Sequence, residues 1–163
     1  MKNGELLEIF EALTTFGNHE KFSTKTRLSI AKNLRTIRDE VDALQEARRL
    51  PPKVEREFTT YQKKRQAIIT KWAKGNPKKV LKEGGLVELA DPEACQKELK
   101  ELDDKYRSVL TMVDKRLEEW REVLKSECSI SPVFHKIKES DLPEDGLNVV
   151  HLTVLLGHVI VED

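Results

Sequence analysis

The sequence predicts a mainly α fold, in which three long helices form an antiparallel, coiled-coil-like bundle with a short N-terminal helix and a small C-terminal strand–helix element. Charged residues make up 36% of the 163-residue chain and hydrophobic residues 38%, a mixture typical of long amphipathic helices. Apolar residues recur at intervals of three and four, the repeat of a helix with one buried face. A chain of this length predicts one domain over residues 1–163, with the bundle at 1–126 and the C-terminal element at 127–163.

The first helix is predicted in the stretch NGELLEIFEALTTFGN. Asn3 is the expected N-cap, because a short polar side chain can accept a bond from an exposed amide of the first turn. Gly17 and Asn18 suit the end of the helix. The buried stripe is expected to contain Leu6, Ile9, Phe10, Leu13 and Phe16.

The second and third helices carry heptad-like stripes and are separated by Pro51 and Pro52, which cannot continue a helix. The second is predicted from Ser23 or Thr24 to residue 50, and the third over residues 54–74. Arg65 occupies a position of the third stripe where an apolar residue belongs, so it either extends its charge into water or pairs with an acid. The expected stripes are Ile30, Leu34, Ile37, Val41 and Leu44, then Val54, Phe58, Tyr61, Ile68 and Trp72.

The fourth helix is the longest, predicted over residues 92–126. Asp91 suits the N-cap and Pro92 the first helical position. A short β-hairpin is predicted before it, around residues 80–87. The stripe slips by one position after Val113, which indicates a bend or a change of partner. Its members are Leu99, Leu102, Tyr106, Val109 and Val113, then Leu117, Trp120 and Leu124.

The C-terminal element begins with alternating residues at 129–138, which predict a short strand. Residues 147–161 are apolar nearly throughout; their spacing favours a helix, but their β-branched residues also suit a strand. This run is the best sequence candidate for an apolar docking surface, the alternative being that it completes the core. The interaction candidates are Leu152, Leu155, Leu156 and Val159.

A basic segment at residues 63–82 contains eight Lys or Arg and no acid. Contact with nucleic acid phosphates is one interpretation, with Tyr61 or Trp72 as a stacking surface, and binding to an acidic protein partner is another. Both rings lie on the apolar stripe, however, so we expect them to pack on a neighbouring helix while the cations form a solvated face. The candidates are Lys63, Lys64, Arg65, Lys71, Lys74, Lys78, Lys79 and Lys82.

No stretch of the sequence predicts a catalytic or metal site. The chain has no Walker, GxSxG, GxGxxG or HExxH motif, and we expect no enzyme activity, cofactor or small-molecule substrate. Cys95 and Cys128 lack metal-site spacing and are expected to be reduced thiols. His151 and His158 would share a helical face two turns apart, too far to chelate one metal alone. No apolar run reaches the length of a membrane span, and no signal peptide is expected.

Four stretches carry a resemblance to known proteins: KNGELLEIFEAL, FSTKTRLSIAKNLRTIRDEVDALQEAR, DPEACQKELKELDD and FHKIKESDLPEDGL. Their order resembles a family of small helical proteins encoded by tailed bacteriophages. The resemblance implies a phage origin, synthesis in the cytoplasm of a bacterial host, and a role in the virion, its assembly or the inhibition of a host protein. It supplies no catalytic residues.

The function expected from the sequence is a non-enzymatic protein-interaction or structural module. Long helices with narrow stripes leave faces that a protein partner or a second copy can cover, so we expect a partner protein, a homo-oligomer or both. Nucleic-acid binding through residues 63–82 is the alternative.

Overall fold

The computed structural model describes residues 1–75 and 88–163, so the predicted hairpin lies outside the described residues. The described chain is mainly helical, which confirms the fold class. A 3-10 turn at Glu139–Asp141 follows the first strand, and the two short strands pair in parallel. The elements are α1 (Asn3–Gly17), α2 (Thr24–Arg48), α3 (Pro52–Trp72), α4 (Pro92–Lys105), α5 (Arg107–Lys125), β1 (Ile137–Lys138), α6 (Val149–Leu155) and β2 (Ile160–Val161).

The chain divides into two compact units. The first contains Met1–Arg49 and Glu119–Asp163, and the second contains Leu50–Glu118. The sequence predicted a C-terminal element that begins at residue 127. In the structure α1 packs on both α2 and α6, so the two ends of the chain share one core. The predicted three-helix bundle is not confirmed: α2 packs on α1, whereas α3 packs on α4.

In the first unit, the predicted stripe of α1 is largely buried, but the N-cap is Lys2 rather than Asn3. The Glu5 carboxylate accepts a hydrogen bond from the Lys2 amide at 2.8 Å. Asn3 is itself buried, and its Nδ2 donates to the Val123 carbonyl oxygen at 2.9 Å and to Ser126 Oγ at 3.0 Å. The asparagine therefore fixes the start of α1 against the end of α5 rather than capping its own helix.

Helix α2 contributes the other long side of this core. Ser23 Oγ accepts from the Thr26 amide at 3.1 Å and begins the helix where the sequence predicted. Asn33 is fully buried on the same face as the apolar stripe. Its Nδ2 donates to the His135 carbonyl oxygen at 2.9 Å, and its Oδ1 accepts from the His135 amide at 2.7 Å. One side chain thus satisfies both backbone groups of a residue 102 positions away in the chain.

The C-terminal segment differs from the prediction in two places. Only Ile137–Lys138 of the predicted strand at 129–138 forms a strand. Alternation does not hold there, because Phe134 and Ile137 are both buried while Val133 is 85% exposed. The predicted helix at 147–161 is a seven-residue helix, α6, followed by a turn and β2. The run at 147–161 is therefore helix in one part and strand in another, and both interpretations apply.

The second unit is built from α3, α4 and the first part of α5. Asp91 Oδ1 accepts from the Ala94 amide at 3.0 Å, so the predicted cap of α4 is confirmed. The predicted single helix at 92–126 is divided at Tyr106, the one residue between α4 and α5. Its apolar contacts also change along α5, as the slip in the stripe predicted. The second unit's small cluster contains Val54, Val109 and Val113, whereas Trp120 and Val123 pack on the first unit's core.

Candidate functional site

Helix α1 carries a second apolar stripe beside the one in the core. Leu7 and Phe10 are half-buried at the edge of the core, and Thr14 continues their line at helical spacing. A helix with one buried face needs only one such stripe. The second stripe leaves apolar surface on the outside of the first unit.

An open groove runs along this second stripe, between α1 and α2, and we refer to it as the α1–α2 groove. Its first stretch has a volume of about 890 Å³. Leu28 is 56% exposed there and adds its apolar surface to that of Phe10 and Leu34. The floor of this stretch is formed by Phe10, Thr14, Leu28, Ala31 and Leu34.

The rim of this first stretch is mainly basic. Lys32, Arg35 and Arg38 line it from α2, together with one acid, Asp39. The three cations are exposed. Among the residues that the structure describes, none of the three makes an ion pair or a side-chain hydrogen bond. Their charges are therefore available to a ligand.

A second stretch, of about 470 Å³, adjoins the first. Phe10 and Thr14 line both stretches, so the two are continuous along α1. Trp120 from the end of α5 adds an aromatic surface, and Arg48 adds a fourth cation. This stretch is lined by Leu7, Phe10, Glu11, Thr14, Thr15, Gln45, Arg48 and Trp120.

The sequence interpretation did not identify this groove. The signal was present in α1, where Leu7 lies outside the predicted stripe but shares a helical face with Phe10 and Thr14. It was also present in α2, where Leu28 and Ala31 lie off the heptad positions and are followed by Arg35 and Arg38 at the same spacing. The apolar residues that lie outside the main stripe of each helix therefore indicate a second apolar face on α1 and on α2.

The rings of the basic segment lie on the helical interface rather than in open solvent. Tyr61 is buried, its hydroxyl donates to Asp103 Oδ1 at 2.8 Å, and its ring centroid lies 6.0 Å from that of Phe58. Burial, and then the bond to Asp103, raise the pKa of the Tyr61 hydroxyl. Trp72 is half-buried, with the Lys71 ammonium 4.8 Å from its ring centroid. Tyr61 is therefore unavailable for stacking a base, and one face of the Trp72 ring is already in contact with a lysine.

Several cations of this segment have partners inside the second unit. Lys64 Nζ donates to Tyr106 Oη at 3.1 Å. Lys71 pairs with Glu98, and this hydrogen bond lowers the pKa of the Glu98 carboxyl. Lys74 Nζ lies 3.9 Å from Glu88 Oε2. The remaining described candidates, Lys63 and Arg65, are exposed, and Lys78, Lys79 and Lys82 lie outside the described residues.

The C-terminal interaction candidates require a correction. Leu155 and Val159 are fully buried in the core of the first unit, so they complete that core and present no docking surface. Leu152 is half-buried against the same core. Leu156, which is 42% exposed, is the one candidate of the four that remains largely on the surface.

The titratable side chains form no metal site in the part of the chain that the structure describes, where no group of three or more His, Cys, Asp or Glu side chains is placed to hold an ion. His158 lies beyond the end of α6, so it does not share a helical face with His151. Cys95 and Cys128 are free thiols, and burial raises the pKa of Cys128. None of the described helices is both long and apolar enough to cross a membrane.

Comparison with protein-family models, with curated proteins and with solved structures finds no match to this chain.

Proposed function

We propose that this protein is a non-enzymatic protein-interaction or structural module, and that the α1–α2 groove is its binding surface. The proposal rests on the groove's composition: half-buried and exposed apolar side chains on the floor, and at the rim cations that have no ion pair among the described residues. Apolar surface ringed by polar residues is typical of protein-binding sites. A partner that covers Phe10 and Leu28 gains hydrophobic burial that this fold leaves unused.

The setting of this function rests on the sequence resemblance to proteins of tailed bacteriophages. In that setting the module acts in the cytoplasm of a bacterial host or in the virion. It is then either an assembly component or an inhibitor of a host protein, and its partner is a second protein or another copy of the chain.

Site-specific photo-crosslinking tests the proposal. A photoreactive phenylalanine analogue replaces Leu28 in the groove or, as a matched control, Met112 in the second unit. Leu28 is 56% exposed and Met112 55% exposed, so the two probes meet solvent equally. In infected host cells we expect a discrete crosslinked protein from position 28 and none from position 112. The absence of a discrete product at both positions would contradict the proposed function. A product from position 112 alone would show that the binding surface lies in the second unit.

Nucleic-acid binding stays as the alternative because Lys63 and Arg65 are exposed on one helix without an ion pair among the described residues. It requires the protein to retard mixed-sequence duplex or single-stranded nucleic acid at low salt, with binding that weakens steeply as salt rises. Replacement of Lys63 and Arg65 by Gln should then weaken retardation and reduce its dependence on salt. No retardation at low salt would remove this alternative.

A further inference from the structure

We propose that the α1–α2 groove binds one amphipathic, acidic helix of a partner protein. The apolar stripe of that helix lies on Phe10 and Leu28, and its acidic edge faces Arg35 and Arg38. This inference rests on the proposed function and specifies the chemistry of the partner.

The length of the groove fits a helix. Its lining on α2 extends from Leu28 to Arg48. At about 1.5 Å per residue these positions span about 30 Å, which matches a helix of five to six turns. Helices bound in grooves use apolar anchors at spacings of three, four and seven residues. Leu7, Phe10 and Thr14 on α1 present a complementary line at the same spacing.

The charged side chains that line the groove favour an acidic partner. Its lining contains four cations, Lys32, Arg35, Arg38 and Arg48, and two acids, Glu11 and Asp39. Within residues 1–75 and 88–163, none of these four cations has an ion pair or a side-chain hydrogen bond. Lys71 of α3 differs, since Glu98 already neutralises it. An acidic edge of a partner helix would place carboxylates beside these four cations, whereas a basic edge would be repelled.

The other occupants fit less well. Two copies of the groove facing each other would bring four cations against four, which is unfavourable at close range. A nucleic acid duplex would match the rim but would offer its phosphates to an apolar floor that contains Phe10, Leu28 and Leu34. An amphipathic helix matches both the floor and the rim.

Peptide binding tests the inference. The probe is a fluorescent helical peptide of about 21 residues, with Leu at spacings of three and four and Glu on both edges. Its matched control carries Lys in place of every Glu. We expect the acidic peptide to bind at least about tenfold more tightly than the basic one at low salt, with the preference falling as salt screens the rim.

Variants assign the preference to the groove. Arg35→Glu with Arg38→Glu should reverse it, so that the basic peptide binds more tightly. Lys53→Glu with Arg56→Glu is the control, because it changes the same charge at the same spacing on exposed positions of α3. Leu28→Asp should weaken binding of both peptides. Circular dichroism checks that each variant remains folded.

Each outcome decides between occupants. Equal affinity for the two peptides, or a preference that survives reversal of Arg35 and Arg38, would overturn the inference. A dimer in light scattering that Leu28→Asp dissociates would assign the groove to a second copy. Retention of duplex DNA that the same charge reversal abolishes would assign it to nucleic acid. Loss of the peptide preference beside a crosslink at position 28 would refute this inference and leave the proposed function standing.

Discussion

The two units of the chain are stabilised in different ways. In the first, the described residues form a core of fifteen buried hydrophobic side chains, contributed by α1, α2 and the C-terminal segment. In the second, the described cluster contains three buried valines, with Leu50, Phe58 and Tyr106 packed at its edge. The first unit has a core like that of an ordinary globular domain. In the second unit the buried apolar residues form a narrow line between helices.

Polar contacts are placed differently in the two units. In the second unit, Tyr61 bonds Asp103 and Lys71 pairs with Glu98 along the facing helices. In the first unit, Asn33 instead connects a buried position of α2 to the backbone of the C-terminal segment. We therefore expect the cost of a substitution to depend on the unit in which it lies as well as on the residue type.

Each unit contains one tryptophan, so the units can be followed separately. Trp120 belongs to the first unit and Trp72 to the second. The single-tryptophan variants Trp72→Phe and Trp120→Phe report urea unfolding of the first and second unit, respectively.

The largest expected effect is that of Ile37→Ala. Ile37 is fully buried in the first core, so its truncation should lower the free energy of unfolding by about 3 kcal/mol. Val113→Ala is the counterpart in the second unit and should cost about 1.5 kcal/mol, since it removes less apolar volume. The urea midpoints of Trp120 and Trp72 fluorescence measure the two values. Because Val113→Ala removes fewer carbon atoms than Ile37→Ala, equal costs would mean that the second core is packed more closely than the first.

Removal of the Asn33 amide should have the next largest effect. Asn33→Ala loses two hydrogen bonds to His135, and we expect a cost of about 2 kcal/mol in the first unit. Hydrogen exchange of the His135 amide should accelerate as well. Thr36→Ala is the control, because Thr36 is exposed and its hydroxyl donates within α2, to the Lys32 carbonyl oxygen. Its cost should stay within about 0.5 kcal/mol. A similar cost for both would show that the bridge to His135 adds no stability.

Tyr61→Phe should cost about 1 kcal/mol in the second unit, since it removes one hydrogen bond to Asp103 and keeps the packing of the ring. Tyr61 has a raised pKa, so its contribution is complete below the ordinary tyrosine value of 10.0 and is lost as the pH rises through the raised pKa. Asp103→Asn should lower that pKa towards 10.0. Ultraviolet titration of tyrosinate in a Tyr106→Phe background measures it, and an unchanged titration would show that Asp103 does not influence Tyr61.

The smallest effect is expected for the exposed pair of Lys71 and Glu98. Glu98 has a lowered pKa, chiefly because Lys71 bonds its carboxylate, so its contribution is complete above the ordinary value of 4.5. That contribution disappears as the pH falls through the lowered pKa. Glu98→Gln should therefore lower the Trp72 midpoint slightly at neutral pH and leave it unchanged in acid. Glu101→Gln, at an exposed position of the same helix, is the control, and an effect of Glu98→Gln that persists in acid would exclude the ion pair as its cause.

The sequence predicted well what depends on neighbours in the chain. The burial of Ile30, Ile37 and Val41 follows from the helical repeat, and the capping of α4 by Asp91 follows from local hydrogen bonding. These features need only residues within a few turns of each other. The mainly α fold class was predicted for the same reason.

The sequence did not predict what depends on distant residues. Asn33 reads as a polar residue of a charged helix, and only the backbone of His135 explains its burial. The apolar run at 147–161 suggested a docking surface because its partners, α1 and β1, lie far away in the sequence. Once those partners cover Leu155 and Val159, the unused apolar surface lies on Leu7, Phe10 and Leu28 instead.

The joining of residues 1–49 and 119–163 in one core sets an order of events during protein synthesis. The second unit is continuous, so it can fold as soon as residue 118 has left the ribosome. The first unit must wait for Leu155, Val159 and Ile160, although its opening helices are made first. Until then the inner faces of α1 and α2 lack the apolar side chains of the C-terminal segment that cover them in the finished fold.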